Sequence, residues 1–104
     1  MYQSVAVLGA TGSIGTSTLD VIRLHRDRFQ VLALSGWHQA EALGKLAQEF
    51  SPKTIVVAPG LAKTVRRVAG LTEGEVGVLE GADGLVQIAS AEEIDTVVTG
   101  GVGA

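Results

Sequence analysis

The sequence predicts an α/β domain: an open parallel sheet of about five strands with helices on both faces. Two observations predict it. Short apolar runs alternate with stretches of helical spacing along the whole chain, the pattern left by strand–helix–strand crossovers. Hydrophobic residues make up 46% of the chain against 18% charged, with a mean hydropathy of +0.35, which fits strands buried on both faces under helices. At 104 residues the chain is one domain at most, or part of one.

Each element has a local reason. Val5–Leu8 is a four-residue apolar run that ends at Gly9 and reads as the first strand. Ser13 to about His25 reads as the first helix, with Ile14, Thr18, Val21 and Ile22 on its inner face. The Thr16-Ser17-Thr18 run has poor helix propensity, so packing on the sheet has to hold it. Phe29–Leu34 is the second strand. Gln39–Phe50 is an amphipathic helix with Ala40, Leu43, Ala47 and Phe50 at spacings of three and four, stopped by Ser51-Pro52. Thr54–Val57 is the third strand. Leu61–Ala69 is a shorter helix with Val65 and Val68 inward and Lys63, Arg66 and Arg67 on a solvated face. Val76–Leu79, between Glu75 and Glu80, reads as a short edge strand. Gly84 to about Ser90 is the last helix and Thr96–Thr99 the last strand, followed by Gly100-Gly101-Val102-Gly103-Ala104.

The sheet is expected to be built from right-handed crossovers, with the first strand central, the second and third on one side of it, and the Val76–Leu79 strand outside the third. Thr96–Thr99 then returns to the other side of the first strand. The topological switch point falls between the first and last strands, where open α/β sheets bind ligands. It brings the Gly9–Ser13 turn opposite Gly100–Gly103.

Gly9, Gly12 and Gly15 punctuate the passage from the first strand into the first helix. A strand feeding a glycine turn that opens a helix is an anion-binding device, because the first helical N–H groups lack intrahelical acceptors and the helix dipole adds positive charge there. The spacing is G-x-x-G-x-x-G, one residue looser than the G-x-G-x-x-G fingerprint of Rossmann-type dinucleotide sites. A tight strand-to-helix turn without a ligand is the bland alternative. Under the functional reading, a dinucleotide diphosphate rests on the backbone N–H groups of Thr11, Gly12, Ser13 and Ile14. The Thr11 and Ser13 hydroxyls add donors, and Gly15 lets the helix approach the sheet.

The end of the second strand selects the cofactor. An NAD site usually carries Asp or Glu about 20 residues past the glycine loop. Counting from Gly15 reaches Ser35, and Ser35-Gly36-Trp37-His38-Gln39 contains no carboxylate. NADP therefore fits better than NAD, with Gly36, Trp37, His38 and Gln39 at the ribose phosphate. With His38 as a partner, NADP affinity should weaken as pH rises past neutrality. Trp37 either covers the adenine or packs on the next helix. His25, near the end of the first helix, reads as structural.

Composition removes other classes. A net charge of −3 gives no reason to expect nucleic acid. The chain has no cysteine, so disulfides and thiolate metal sites are excluded. No apolar run approaches a membrane span, and no signal peptide is visible, so a cytoplasmic domain without membrane contact is expected. Asp83, Glu92, Glu93 and Asp95 read as solvated, and no metal cluster or activated nucleophile is found.

Gly9 to Ile22, Gly-Ala-Thr-Gly-Ser-Ile-Gly-Thr-Ser-Thr-Leu-Asp-Val-Ile, closely resembles the 1-deoxy-D-xylulose 5-phosphate reductoisomerase family. The likeness continues through Phe29–Leu34, Phe50-Ser51-Pro52 and Val102-Gly103-Ala104. It implies that residues 1–104 are an NADP(H)-binding domain, the N-terminal fragment of an oxidoreductase of isoprenoid (isoprene) biosynthesis. That enzyme rearranges and reduces 1-deoxy-D-xylulose 5-phosphate, a sugar phosphate, to 2-C-methyl-D-erythritol 4-phosphate with a divalent metal, Mg or Mn. The resemblance matches Thr11, Gly12, Ser13 and Ile14 to the loop around the cofactor phosphates, and Gly36 to Gln39 to the segment around the ribose phosphate. In the Gly36–Gln39 segment the family often has Gly-Lys-Asn or His-Lys-Gln, from which Trp37 and His38 depart, and at Gly100-Gly101 it more usually has an Ala-Ile pair. The family's catalytic, metal-binding and substrate residues lie in later parts of its chain, so the fragment is expected to be truncated, inactive alone and without catalytic or metal ligands of its own. A homodimer is expected, and the unpaired outer edge of Thr96–Thr99 predicts self-association. Two other readings remain open at this point: the cofactor domain of a short-chain or semialdehyde dehydrogenase, and a non-catalytic nucleotide-sensing module.

Overall fold

A computed structural model describes residues 3–70 and 76–99. The elements run β1 (Gln3–Leu8), α1 (Ser13–Leu24), β2 (Phe29–Ser35), α2 (Ala40–Phe50), β3 (Thr54–Val57), α3 (Ala62–Ala69), β4 (Gly77–Glu80), α4 (Ala82–Ser90) and β5 (Thr96–Thr99). The sheet order is β4-β3-β2-β1-β5, as expected, and each neighbouring pair is parallel. β1 pairs with β2 through Val5 and Val31, then with a shifted register through Ala6 and Ala33. This irregularity at Leu32 reverses the alternation of β2, so Val31 and Leu34 share one face of the sheet while Ala33 takes the other.

Successive steps from β1 to β4 move in one direction, so their right-handed crossovers put α1, α2 and α3 on one face; the return to β5 puts α4 on the other. The core divides accordingly. Val5, Val7, Leu19, Leu34, Leu43, Ile55, Val57 and Val65 belong to the larger cluster. Ala6, Ala33, Val56 and Ile88 belong to the smaller one, beneath α4. Leu19, Leu34, Leu43 and Ile55 are fully buried, each contributing about 1.5–3 kcal/mol of transfer free energy. Among the described residues no helix is long and apolar enough to cross a membrane.

The inner face of α1 differs from the expectation. Gly15, Leu19 and Ile22 are buried, whereas Ile14 and Val21 are 55% and 52% exposed. The physical reason is Gly15. A side-chain carbon there would lie 2.2 Å from the Gly9 carbonyl oxygen, so the helix presses its bare backbone on the loop and turns its larger neighbours outward. Ser51 ends α2 in the left-handed region at φ 48° before Pro52. On α3, Lys63 and Arg67 are solvated as expected, but Arg66 is half-buried, with Nη1 shielded from solvent. Two of the carboxylates read as solvated have partners. Asp95 accepts from the Ser4 N–H at 2.8 Å while its own N–H donates to the Ser4 carbonyl, tying β5 to the start of β1. Glu93 pairs with Lys53 at 3.0 Å.

Candidate functional site

β1 delivers the chain to the glycine turn at the carboxyl end of the sheet. Gly9 takes φ 72°, a conformation open to glycine at little cost. Gly12 is the N-cap of α1 and supplies no side-chain capping bond. Its own N–H donates to the Gly9 carbonyl at 3.1 Å, which removes one of the four amides expected as ligand donors. Among the described residues nothing accepts from the amides of Thr11, Ser13 and Ile14. Three donors at the positive end of a twelve-residue helix suit a diphosphate, whose charge is spread over several oxygens.

β2 delivers the second segment beside the first. A side-chain carbon on Gly36 would meet the Thr11 Cγ2 methyl at 3.3 Å. The glycine turn and the Gly36–Gln39 segment are thus in contact. The Gln39 N–H donates to the Gly36 carbonyl at 2.6 Å, and the Ala58 N–H to the Trp37 carbonyl at 2.9 Å; these two bonds fix a compact turn between β2 and α2. Trp37 is half-buried, while His38 and Gln39 are exposed. The indole stands edge-on to the His38 imidazole, with ring centres 6.3 Å apart and planes at 80°. No Asp, Glu, Lys or Arg occurs in residues 9–15 or 35–39, so the local field comes from the helix dipole, backbone amides and His38. Gly100–Gly103, expected opposite the turn, lie outside the described residues.

One residue of this region has a role that spacing alone did not reveal. Ser35 is 4% exposed, the one buried polar residue among those described. Its Oγ accepts from the Gly9 N–H at 3.0 Å and its carbonyl accepts from the Ala10 N–H at 2.7 Å. The sequence signals it only by position: a serine stands where NAD sites usually carry an acid.

A second helix start lies at the same edge of the sheet and is closed. The Glu80 carboxylate accepts from the N–H groups of Gly60 and Ala62, each at 3.0 Å, and so supplies α3 with its own anion. Of these two helix starts, that of α1 is the open one. No group of three or more His, Cys, Asp or Glu is placed to hold a metal among the described residues.

Comparison with known proteins gives the family. The family model for 1-deoxy-D-xylulose 5-phosphate reductoisomerase matches residues 5–104. The chain is 48% identical over 104 residues to the 1-deoxy-D-xylulose 5-phosphate reductoisomerase of Pseudomonas putida strain F1, covering 98% of this chain and 26% of that protein. It is 40% identical to the one from Laribacter hongkongensis, with the same coverage. Among solved structures, a DOX-P reductoisomerase in complex with NADPH, fosmidomycin and magnesium superposes with a TM-score of 0.83 at 44% identity, over 91% of this chain and 23% of that one. The Zymomonas mobilis enzyme in complex with NADPH gives 0.76 at 40% identity, over 86% and 23%. The chain spans about a quarter of the length of the relatives it matches.

Proposed function

The chain belongs to the 1-deoxy-D-xylulose 5-phosphate reductoisomerase family, and from that premise we propose that residues 1–104 are the NADPH-binding portion of such an enzyme. The whole protein would rearrange and reduce 1-deoxy-D-xylulose 5-phosphate to 2-C-methyl-D-erythritol 4-phosphate. The observation that carries the reading is the open start of α1: the Thr11, Ser13 and Ile14 amides have no acceptor among the described residues, while the Gly36–Gln39 turn touches Thr11.

The residues have separable tasks. The amides of Thr11, Ser13 and Ile14, with the Thr11 and Ser13 hydroxyls, hold the diphosphate. Gly12 closes the turn on Gly9 and keeps the approach free of a side chain. Gly36, buried, lets the β2–α2 turn close on Thr11 and Leu43, where a side-chain carbon would stand 3.3 Å from each, and so holds the adenosine side of the site beside the loop. His38 and Gln39, both exposed, reach the ribose 2′-phosphate, and no carboxylate nearby repels it. Trp37 covers the adenine with its half-buried ring. Bound NADPH supplies hydride; this chain's contribution is to fix where the nicotinamide end points. A divalent metal and the sugar phosphate are proposed for the whole protein, and no residue of this chain is assigned to either. A cytoplasmic homodimer is proposed on the same basis.

The test is a titration of the chain with NADPH and with NADH, followed by the fluorescence of Trp37, the only tryptophan. Saturable quenching with NADPH at lower concentration than with NADH supports the reading. Equal affinity removes the assignment of Gly36–Gln39, and no binding of either removes the assignment of the α1 start.

A further inference from the structure

We infer that Ser35 is a positioning residue for the diphosphate loop, acting through Gly9 and Ala10 rather than on the ligand. The inference rests on the cofactor reading above and deepens it. Ser35 stands at the position where dinucleotide sites commonly carry the acid that reads the ribose. Here the side chain is turned inward instead. Its Oγ takes the Gly9 N–H and its carbonyl takes the Ala10 N–H, so a single residue accepts from two successive amides of the loop.

The frame behind Ser35 is paired and buried. Ser35 pairs with Val56 across β2 and β3, the next N–H, of Gly36, donates to the Val56 carbonyl at 3.3 Å, and Val56 itself is fully buried. The glycine loop is therefore tied to a three-strand frame just where its φ of 72° at Gly9 leaves the regular sheet. A glycine-rich loop without such ties samples many conformations, and most of them do not present the Thr11, Ser13 and Ile14 amides together. Ser35 selects the one that does. Because its oxygen is committed inward, reading of the 2′ group moves one turn outward, to His38 and Gln39.

This role has a signature that separates it from two others. A discriminating residue, when changed, alters the ratio of NADPH to NADH affinity. A merely structural one weakens every ligand together with the fold. A positioning residue for the diphosphate loop weakens both dinucleotides alike and spares a ligand without the diphosphate. The experiment compares the parent chain with Ser35→Ala for NADPH, NADH and adenosine 2′-monophosphate. Losing the acceptor of the partly buried Gly9 N–H should raise the Kd for both dinucleotides about tenfold, with their ratio kept and adenosine 2′-monophosphate within about twofold. Unchanged NADPH affinity, a changed ratio, or an equal loss for adenosine 2′-monophosphate overturns the inference. Should Ser35→Ala not fold, Ser35→Cys fills the same space with a poor acceptor and must give the same pattern. Failure of the parent chain to bind any dinucleotide overturns the cofactor reading itself, and this inference with it; parental binding with no effect at position 35 overturns the inference alone.

Discussion

Gly15 of α1 lies so close to Gly9 at the end of β1 that a side-chain carbon on it would stand 2.2 Å from the Gly9 carbonyl oxygen and 2.7 Å from the Ala10 Cα. Both neighbours are backbone, so neither can swing aside. Gly15→Ala must push the helix start away from the loop. We expect a loss of about 1–3 kcal/mol from overpacking and of NADPH binding beyond detection. A urea midpoint within error of the parent would contradict the close approach.

Asp95 joins the two strands on either side of the switch point at their starts, through bonds in both directions with Ser4. Asp95→Ala removes the acceptor of the Ser4 N–H. The site is exposed, so the cost should be about 1 kcal/mol. Hydrogen exchange at Ser4 and along Thr96–Thr99 should quicken, with no change at β3. Uniform quickening across the sheet would argue against a local clasp.

Glu80 serves α3 as a remote cap. Glu80→Ala should cost about 1 kcal/mol and expose the Gly60 and Ala62 amides to exchange, whereas Glu80→Gln keeps an acceptor and recovers part of the loss. Equal behaviour of the two variants would mean that the carboxylate does not cap these amides.

Glu49 predicts the acid response. The hydrogen bond from Arg23 holds its carboxyl below the usual carboxylate range, burial opposes this, and the charges of Arg23 and Arg26 add to the lowering. A lowered value in the folded state means stability that is present above the unfolded value and lost as pH falls through the folded one. Both side chains are about a third exposed, so solvent screening keeps the contribution to about 0.5 kcal/mol. Glu49→Gln should lower the urea midpoint slightly at about pH 7 and match the parent at about pH 2. A difference that grows on acidification would have the wrong sign.

Much of the fold was legible because its signals are local. Thr54–Val57 follows Lys53 and stops shortly before Pro59, Thr96–Thr99 lies between Asp95 and Gly100, and both strands have the bounds those short runs predict. The strand order is the expected one, and right-handed crossovers then fix which face of the sheet each helix takes. The rotation of α1 was not legible: apolar counting favours Ile14 and Val21, while the contact that sets the helix angle is made by Gly15, which has no side chain to count. The start of α4 at Ala82 rather than Gly84 was hidden by the weak periodicity of Ala82-Asp83. At the site, the contact between Thr11 and Gly36 follows from spacing, because the ends of neighbouring parallel strands must lie together. The roles of Ser35 and Glu80 do not follow from spacing. Each depends on which backbone amide a distant strand brings within reach, and that is fixed by register.

The most direct measurement is an amide-resolved NMR titration of the chain with NADPH. The structure separates two helix starts, that of α1 as the open anion site and that of α3 as the one closed by Glu80. It predicts large, saturable shifts at Thr11, Ser13 and Ile14, with the Glu80-bound amides of Gly60 and Ala62 unmoved. Saturable binding that shifts Gly60 and Ala62 while leaving residues 11–14 in place would contradict it.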